Sequence, residues 1–202
     1  MFYATDTNAH GLKHDPFKAI VAPRPIGWIG TKGRDGSINL SPYSFFNIVS
    51  DSPKIVMFSS SGRKDSLRNA EESGVFTASL ASRHLAEKVN ASSVAVPYGT
   101  DEFGIAGLSP VMGQLVDAPY VSEAYTALEC RVTQILQPDT LEGGKAHAFM
   151  VFGQVVGIHI DEAVILDGRI DMTRLHPIAR MGYRDYSDGG TDVFEMVRPT
   201  AP

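Results

Sequence analysis

The chain has 202 residues, 43% of them hydrophobic, which is enough to bury a sizeable core as one domain without disulfides or structural metals. With 18 Lys and Arg against 23 Asp and Glu, its formal net charge is −5, and this excludes the basic excess that a nucleic-acid or acidic-lipid surface needs. Cys130 is the only cysteine, which excludes internal disulfides and dithiol redox motifs. The opening "MFYATDTNAHGLKHDP" carries neither an apolar core nor a cleavage-site pattern, and no apolar run approaches the length of a membrane span. A cytoplasmic protein with no membrane partner is expected.

In chain order, "AIVAPRPIGWIGT" is β-branched and apolar but broken by prolines, which predicts an edge strand or a bulge. "KGRDGS" follows with the hairpin signal Asp35-Gly36, and "SINLS" returns as a strand. The next stretch, "SPYSFFNIVSDSP", mixes Tyr43, Phe45 and Phe46 with Ser41, Ser44 and Asn47. A planar heteroaromatic ligand would use such a mixture. Its rings need apolar faces, and its edge needs small polar groups such as Ser44, Asn47 and the backbone N–H groups near Phe45 and Phe46. The alternative is a strand and turn in which Phe45 or Phe46 fills the core.

"KIVMFSSS" is a short apolar run stopping at three serines. "SGRKDSLRNAEESG" then reads as a helix, with Ser61 and Asp65 as N-cap candidates and Gly74 at the C-terminal end. Its charges run against the helix dipole: Arg63 and Lys64 lie at the start, Glu71 and Glu72 near the end. A dianion at the start would account for that order. Phosphate would take backbone N–H groups, the hydroxyls of Ser59, Ser60, Ser61 and Ser66, and charge from Arg63 or Lys64. A solvated turn with ordinary caps is the alternative.

"VFTASLAS" is a further strand, and "SRHLAEKVNASS" a helix capped by Ser82 with Leu85 and Val89 on one face. In "YTALECRVTQILQ", Leu128, Cys130, Val132 and Leu136 share one face while Glu129, Arg131 and Thr133 share the other, the pattern of a half-buried strand. A glycine turn in "LEGGKAH" leads to the long apolar strand "AFMVFGQVVGIHI", and "LDGRID" holds another Asp-Gly turn. Many hairpin strands with few helices predict an antiparallel barrel. His10 and His14 stand four apart, but Gly11 argues against the helix that would align them. His147, His159 and His176 are expected to be paired or exposed rather than acid catalysts. There is no G-x-G-x-x-G turn to hold a dinucleotide stably.

Four segments, "RPIGWIGTKGRDGSINLSPYSFFN", "VMFSSSGRKDSLRNAEESGVF", "DEFGIAGL" and "PIARMGYRDY", occur in this order from about Arg24 to Tyr186. Together they resemble the flavin reductase-like, FMN-binding split-barrel family. The resemblance implies a mainly β, antiparallel split β-barrel with a few peripheral helices: one domain over residues 1–202, its core about 17–186. It implies a homodimer with FMN near the subunit interface, Ser44, Phe45, Phe46 and Asn47 lining the isoalloxazine, and "SSS" with "RKDS" holding the phosphate. That second group is Ser59, Ser60, Ser61, Arg63, Lys64, Asp65 and Ser66; the last is often Thr in the family. Arg180 matches a family arginine near the cofactor, and Trp28 either flanks the rings or fills the core. The implied activity is NADH- or NADPH-dependent flavin reduction, the nicotinamide binding transiently and the electrons passing to a separate oxygenase or another acceptor. A flavoredoxin-like electron carrier and a non-catalytic flavin-binding module are the rival readings.

Overall fold

The computed structural model describes residues 1–200. A short helix α1 (Phe17–Ile20) precedes β1 (Arg24–Pro25) and the hairpin of β2 (Gly27–Lys32) with β3 (Ile38–Tyr43). The hairpin turns where expected. The Asp35 carboxylate accepts hydrogen bonds from the Ser37 N–H at 3.0 Å and hydroxyl at 2.6 Å, and Gly36 takes φ +86°, a conformation that favours glycine. A second hairpin joins β4 (Phe46–Asp51) to β5 (Lys54–Ser61), and α2 (Asp65–Ser73) follows. Next come β6 (Val75–Leu80), α3 (Ala86–Ala91), α4 (Glu102–Ala106), β7 (Pro110–Met112), β8 (Pro119–Val121), β9 (Thr126–Leu136) and β10 (Ala148–Ile160). The chain closes with β11 (Ile165–Leu166), β12 (Arg169–Ile170), α5 (Met172–Leu175), β13 (Ile178–Arg180) and β14 (Tyr186–Asp188). Among the described residues, no helix is long and apolar enough to cross a membrane.

Seven strands form one antiparallel sheet in the order β3-β2-β6-β9-β10-β5-β4. Its two outermost strands, β3 and β4, are consecutive in the chain and joined only by Ser44 and Phe45. The sheet must therefore curl to bring its ends near each other, with no ladder joining β3 to β4, and the Ser59 N–H donates to the Phe45 carbonyl at 2.8 Å, extending the β4–β5 pairing onto the link. The result is a split β-barrel. Its interior is filled by Ile29, Tyr43, Phe58, Phe76, Cys130 and Val151 among others. The Phe58 ring lies 4.9 Å from Tyr43 and 5.2 Å from Phe76, centroid to centroid. Gly153 lets Phe76 approach, since a Cβ there would overlap the ring. Leu67 and Ala70 of α2 join the same core.

A second core lies outside the barrel, where Trp28 and Leu40 pack under Leu85, Val89 and Phe103. Trp28 is fully buried and its Nε1 donates to Ser92 Oγ at 2.9 Å, so it fills this core.

Several local expectations need correction. β2 lies between β3 and β6, so the proline-broken segment is not an edge of the main sheet; Pro25 sits in β1, the edge of a separate sheet ordered β1-β13-β14. The N-cap of α2 is Lys64, with no side-chain cap bond, rather than Ser61 or Asp65; Gly74 ends the helix at φ +71° as expected. On β9 the pairing with β10 slips between Phe152 and Gly153, which changes the phase of the alternation. Ile135 consequently packs on the core, and Leu136 is exposed. Glu129, expected on the solvent face, is buried.

Candidate functional site

Along β5, alternate residues face opposite ways. Val56, Phe58 and Ser60 are buried, whereas Met57 and Ser59 are only half-buried and open outward. Ser59 stands opposite Met150 of β10. Directly opposed residues share a face, and both line a cavity of about 410 Å³. The β3–β4 link supplies its next wall, Ser44, Phe45, Phe46 and Asn47. Phe17, Val21 and Arg24 close it from the N-terminal side. The cavity thus has aromatic and thioether surfaces with a polar margin of Ser44, Asn47 and Ser59. Asn47 Oδ1 accepts from the Ile48 N–H at 2.8 Å. Five of the residues singled out in the sequence therefore meet in one place.

The helix-start group divides. Ser61 is exposed and lies two residues beyond Ser59 on the same face of β5, about 7 Å away at strand spacing. Lys64 is exposed at the N-cap of α2, and Asp65 is the first residue of that helix. Arg63 is paired with Glu71, and its guanidinium lies 5.7 Å from the Phe149 ring centroid, next to Met150 in the chain. Arg68 pairs with Glu72. The reversed charge order of α2 thus has an internal explanation, since these ion pairs satisfy it without any dianion. Ser60 and Ser66 turn inward. The Ser60 hydroxyl donates to the Gly62 carbonyl at 2.9 Å, and that of Ser66 to Asn39 Oδ1 at 2.8 Å.

Ser66 belongs to a buried polar network whose members come from segments far apart in the chain. Asn39 Nδ2 donates to both oxygens of Glu102 at 3.1 Å, and Leu40 N–H donates to Oε2 at 3.1 Å. Asn69 Nδ2 donates to Thr31 Oγ1 at 3.1 Å, and the Tyr98 hydroxyl to Asn69 Oδ1 at 3.2 Å. Burial pushes the Glu102 carboxyl above its ordinary pKa, against the pull of those bonds. This network fixes the start of α2 to β2, β3 and α4, and so sets where Lys64 and the first N–H groups of the helix stand. Its one visible trace in the sequence is the acid of "DEFGIAGL".

Arg180 does not line the cavity. Its guanidinium is taken by the Tyr186 hydroxyl at 2.6 Å and the Tyr183 carbonyl. Its partner across the β1–β13 ladder is Arg24, and that residue does line the cavity. Arg24 is 8% exposed and donates to the carbonyls of Lys18, Val21 and Met181, while its Nε is buried with no partner. An apolar cavity with a polar margin and a buried cation in its wall fits a planar heteroaromatic ring that can carry negative charge. Arg24 was missed in the sequence; an arginine between two prolines in an apolar run was the available signal.

Comparison with known proteins gives this arrangement a setting. The flavin reductase like domain matches residues 21–174. An uncharacterized protein of Deinococcus radiodurans is 36% identical over 194 residues, covering 90% of this chain and 82% of its own. The crystal structure of nitrilotriacetate monooxygenase component B from Bacillus cereus is similar with a TM-score of 0.85 and 28% identity, over 97% of this chain and 98% of its own. Flavoredoxin of Desulfovibrio vulgaris is similar with a TM-score of 0.73 and 27% identity, over 89% and 91%.

Proposed function

Since this chain belongs to the flavin reductase-like domain family, a family of flavin-related oxidoreductases, we propose that it binds FMN and reduces it with NADH or NADPH. The electrons then pass to a separate oxygenase or another acceptor. The observation that carries this reading is that Ser59, which lines the cavity, and Ser61, just before α2, share one face of β5. Ser61 lies about 7 Å from Ser59 at strand spacing, a span that a ribityl chain bridges, and Lys64 follows at the N-cap of α2. Read this way, the two candidate segments of the sequence would serve one ligand.

Bound FMN would supply a ring that accepts hydride from the nicotinamide. The protein's part is to bind and orient. Phe45, Phe46, Met57 and Met150 would cover one side of the ring, and Ser44, Asn47 and Ser59 would meet its edge. Ser61, Lys64 and the N–H groups of the first α2 turn would take the phosphate. Arg63 would join them on release from Glu71, whereas Ser60, Asp65 and Ser66 would act by shaping the turn. The other ring face must stay open to a transient nicotinamide. A second copy of the chain would complete the walls. The likeness to an oxygenase component supports a partner oxygenase, and the cytoplasm would hold the nicotinamide pool.

The likeness to flavoredoxin supports a second reading, an electron carrier that keeps its FMN. Cofactor mass, the visible spectrum and steady-state NAD(P)H oxidation with added FMN decide between them. Turnover is the expected result. Reduction only by another protein identifies the carrier, and bound flavin with neither behaviour identifies a binding module. A colourless protein that takes up no FMN overturns the proposal.

A further inference from the structure

We propose that Arg24 is the group that binds the reduced, negatively charged flavin ring more tightly than the oxidised one and thereby sets its reduction potential; this rests on the FMN reading above. An arginine keeps its charge at any working pH. Burying such a charge is costly unless it is paired. Arg24 is 92% hidden, yet among the described residues no carboxylate lies within ion-pair distance of it. Three carbonyl oxygens take its terminal nitrogens and hold the guanidinium in place, but they bring no opposing unit charge. The Nε donor is left unmet.

The charge sits where a ring would lie. Arg24 lines the same cavity as Phe45 and Asn47, and its guanidinium carbon is 5.9 Å from the Phe45 ring centroid. The phosphate candidates Ser61 and Lys64 are not part of that lining. A neutral ring gains little from a buried cation beside it. A ring that has accepted a hydride and holds the negative charge gains the full interaction, in a site already organised to give it. The Lys18, Val21 and Met181 carbonyls therefore serve as positioning groups: they keep the cation fixed before the charge arrives.

The test measures Kd for oxidised and reduced FMN, and for oxidised and reduced riboflavin, with the full-length parent, Arg24→Gln and Arg24→Lys. In Arg24→Gln the reduced form should lose at least tenfold more affinity than the oxidised form, equivalent to a fall of about 30 mV in the two-electron potential for each tenfold. Riboflavin should show the same difference, and Arg24→Lys should keep most of the parent preference. Equal losses in both redox states overturn the inference, as does a difference seen with FMN but not with riboflavin, which would put Arg24 on the phosphate. Should Arg24→Gln not fold, the spectrum of reduced flavin on the parent decides. It should remain that of the anion at a mildly acid pH where free reduced flavin has taken up its proton, and the neutral spectrum overturns the inference. A parent that binds no flavin at all is a different result, since that removes the proposed function itself.

Discussion

His159 Nε2 donates to Glu129 Oε1 at 2.6 Å, and this pair holds a whole loop in place. The same carboxylate accepts the N–H groups of Gln114 at 2.9 Å, Leu115 at 2.7 Å and Val116 at 3.0 Å. Tyr120 stacks on the His159 ring with centroids 4.4 Å apart. The loop between β7 and β8 is thus tied to β9 and β10 through one buried acid.

The first prediction concerns that acid. Burial alone would raise the Glu129 pKa, but the bonds from Gln114, His159, Leu115 and Val116 together bring it below the ordinary glutamate value. A group whose pKa is depressed in the folded state adds stability above its unfolded pKa, about 4.3 for Glu, and loses it as pH falls through the folded value. Glu129→Gln puts an NH₂ group against N–H donors whichever way the amide turns. It should cost about 1–3 kcal/mol near neutral pH. Urea denaturation should show the gap between parent and variant narrowing in acid, below about pH 4. A gap that stays constant into acid would mean the charge contributes nothing.

Trp28 yields a second. Its Nε1–H is buried and its one partner is Ser92 Oγ. Ser92→Ala leaves that donor unmet and should cost about 1–3 kcal/mol. Because Trp28 belongs to the outer core with Leu85 and Val89, FMN affinity should not change. Thermal unfolding and FMN titration on the one variant check this; a matching loss of affinity would put Trp28 against the flavin.

What the sequence disclosed was local. The Asp35-Gly36 turn, the Gly74 helix stop and the strand over "KIVMFSSS" each depend on residues within a few positions of one another. The mixed stretch at Ser44–Asn47 stood out for the same reason, since its aromatic and polar residues are packed into a few positions. What stayed hidden depends on distant segments. Alternation puts Glu129 on the solvent face because nothing in β9 reveals that residues 114–116 fold back over it. Ile135 takes the place of Leu136 because of a slip in the pairing with β10, which is invisible in either strand alone. Ser66 and Arg24 have roles set by Asn39 and by the Lys18, Val21 and Met181 carbonyls, the last 157 positions away.

Phosphate binding gives the third prediction. Lys64 stands exposed at the N-cap of α2, while Arg63 is held by Glu71. The first cation is free to meet a phosphate and the second must break a surface pair to do so. A charge-assisted contact contributes about 1.5–3 kcal/mol, so Lys64→Ala should weaken FMN binding roughly ten- to a hundredfold. Arg63→Ala should do less. Riboflavin lacks the phosphate and should bind parent and variants alike in a fluorescence titration. An equal loss for riboflavin would move Lys64 away from the phosphate.

The fourth prediction is a homodimer on which FMN occupancy depends. β4 is an outermost strand of the seven-stranded sheet, with β5 as its one ladder partner there, and it carries Ile48 at 70% and Val49 at 48% exposure. Beside it, an apolar hollow of about 240 Å³ is lined by Ile48, Val56, Leu128, Val155 and Ile158. Such an edge invites pairing and is ordinarily covered. The flavin cavity opens near the same edge: Asn47 lines it from β4, and Phe17 and Phe45, both exposed, stand on its rim. One chain therefore covers part of a ring, and a second copy on β4 would complete the wall and hide the aliphatic edge together. Obligate interfaces of this kind bury upwards of about 2,000 Å², so no stable monomer should be seen at micromolar concentration. Ile48→Lys places a charge in the middle of that contact and should lower both the dimer fraction and the flavin content. Light scattering after size exclusion, with and without FMN, reads the first, and absorbance reads the second. A monomer that carries a full equivalent of flavin would show that one chain builds the entire site, and β4 would then need another explanation.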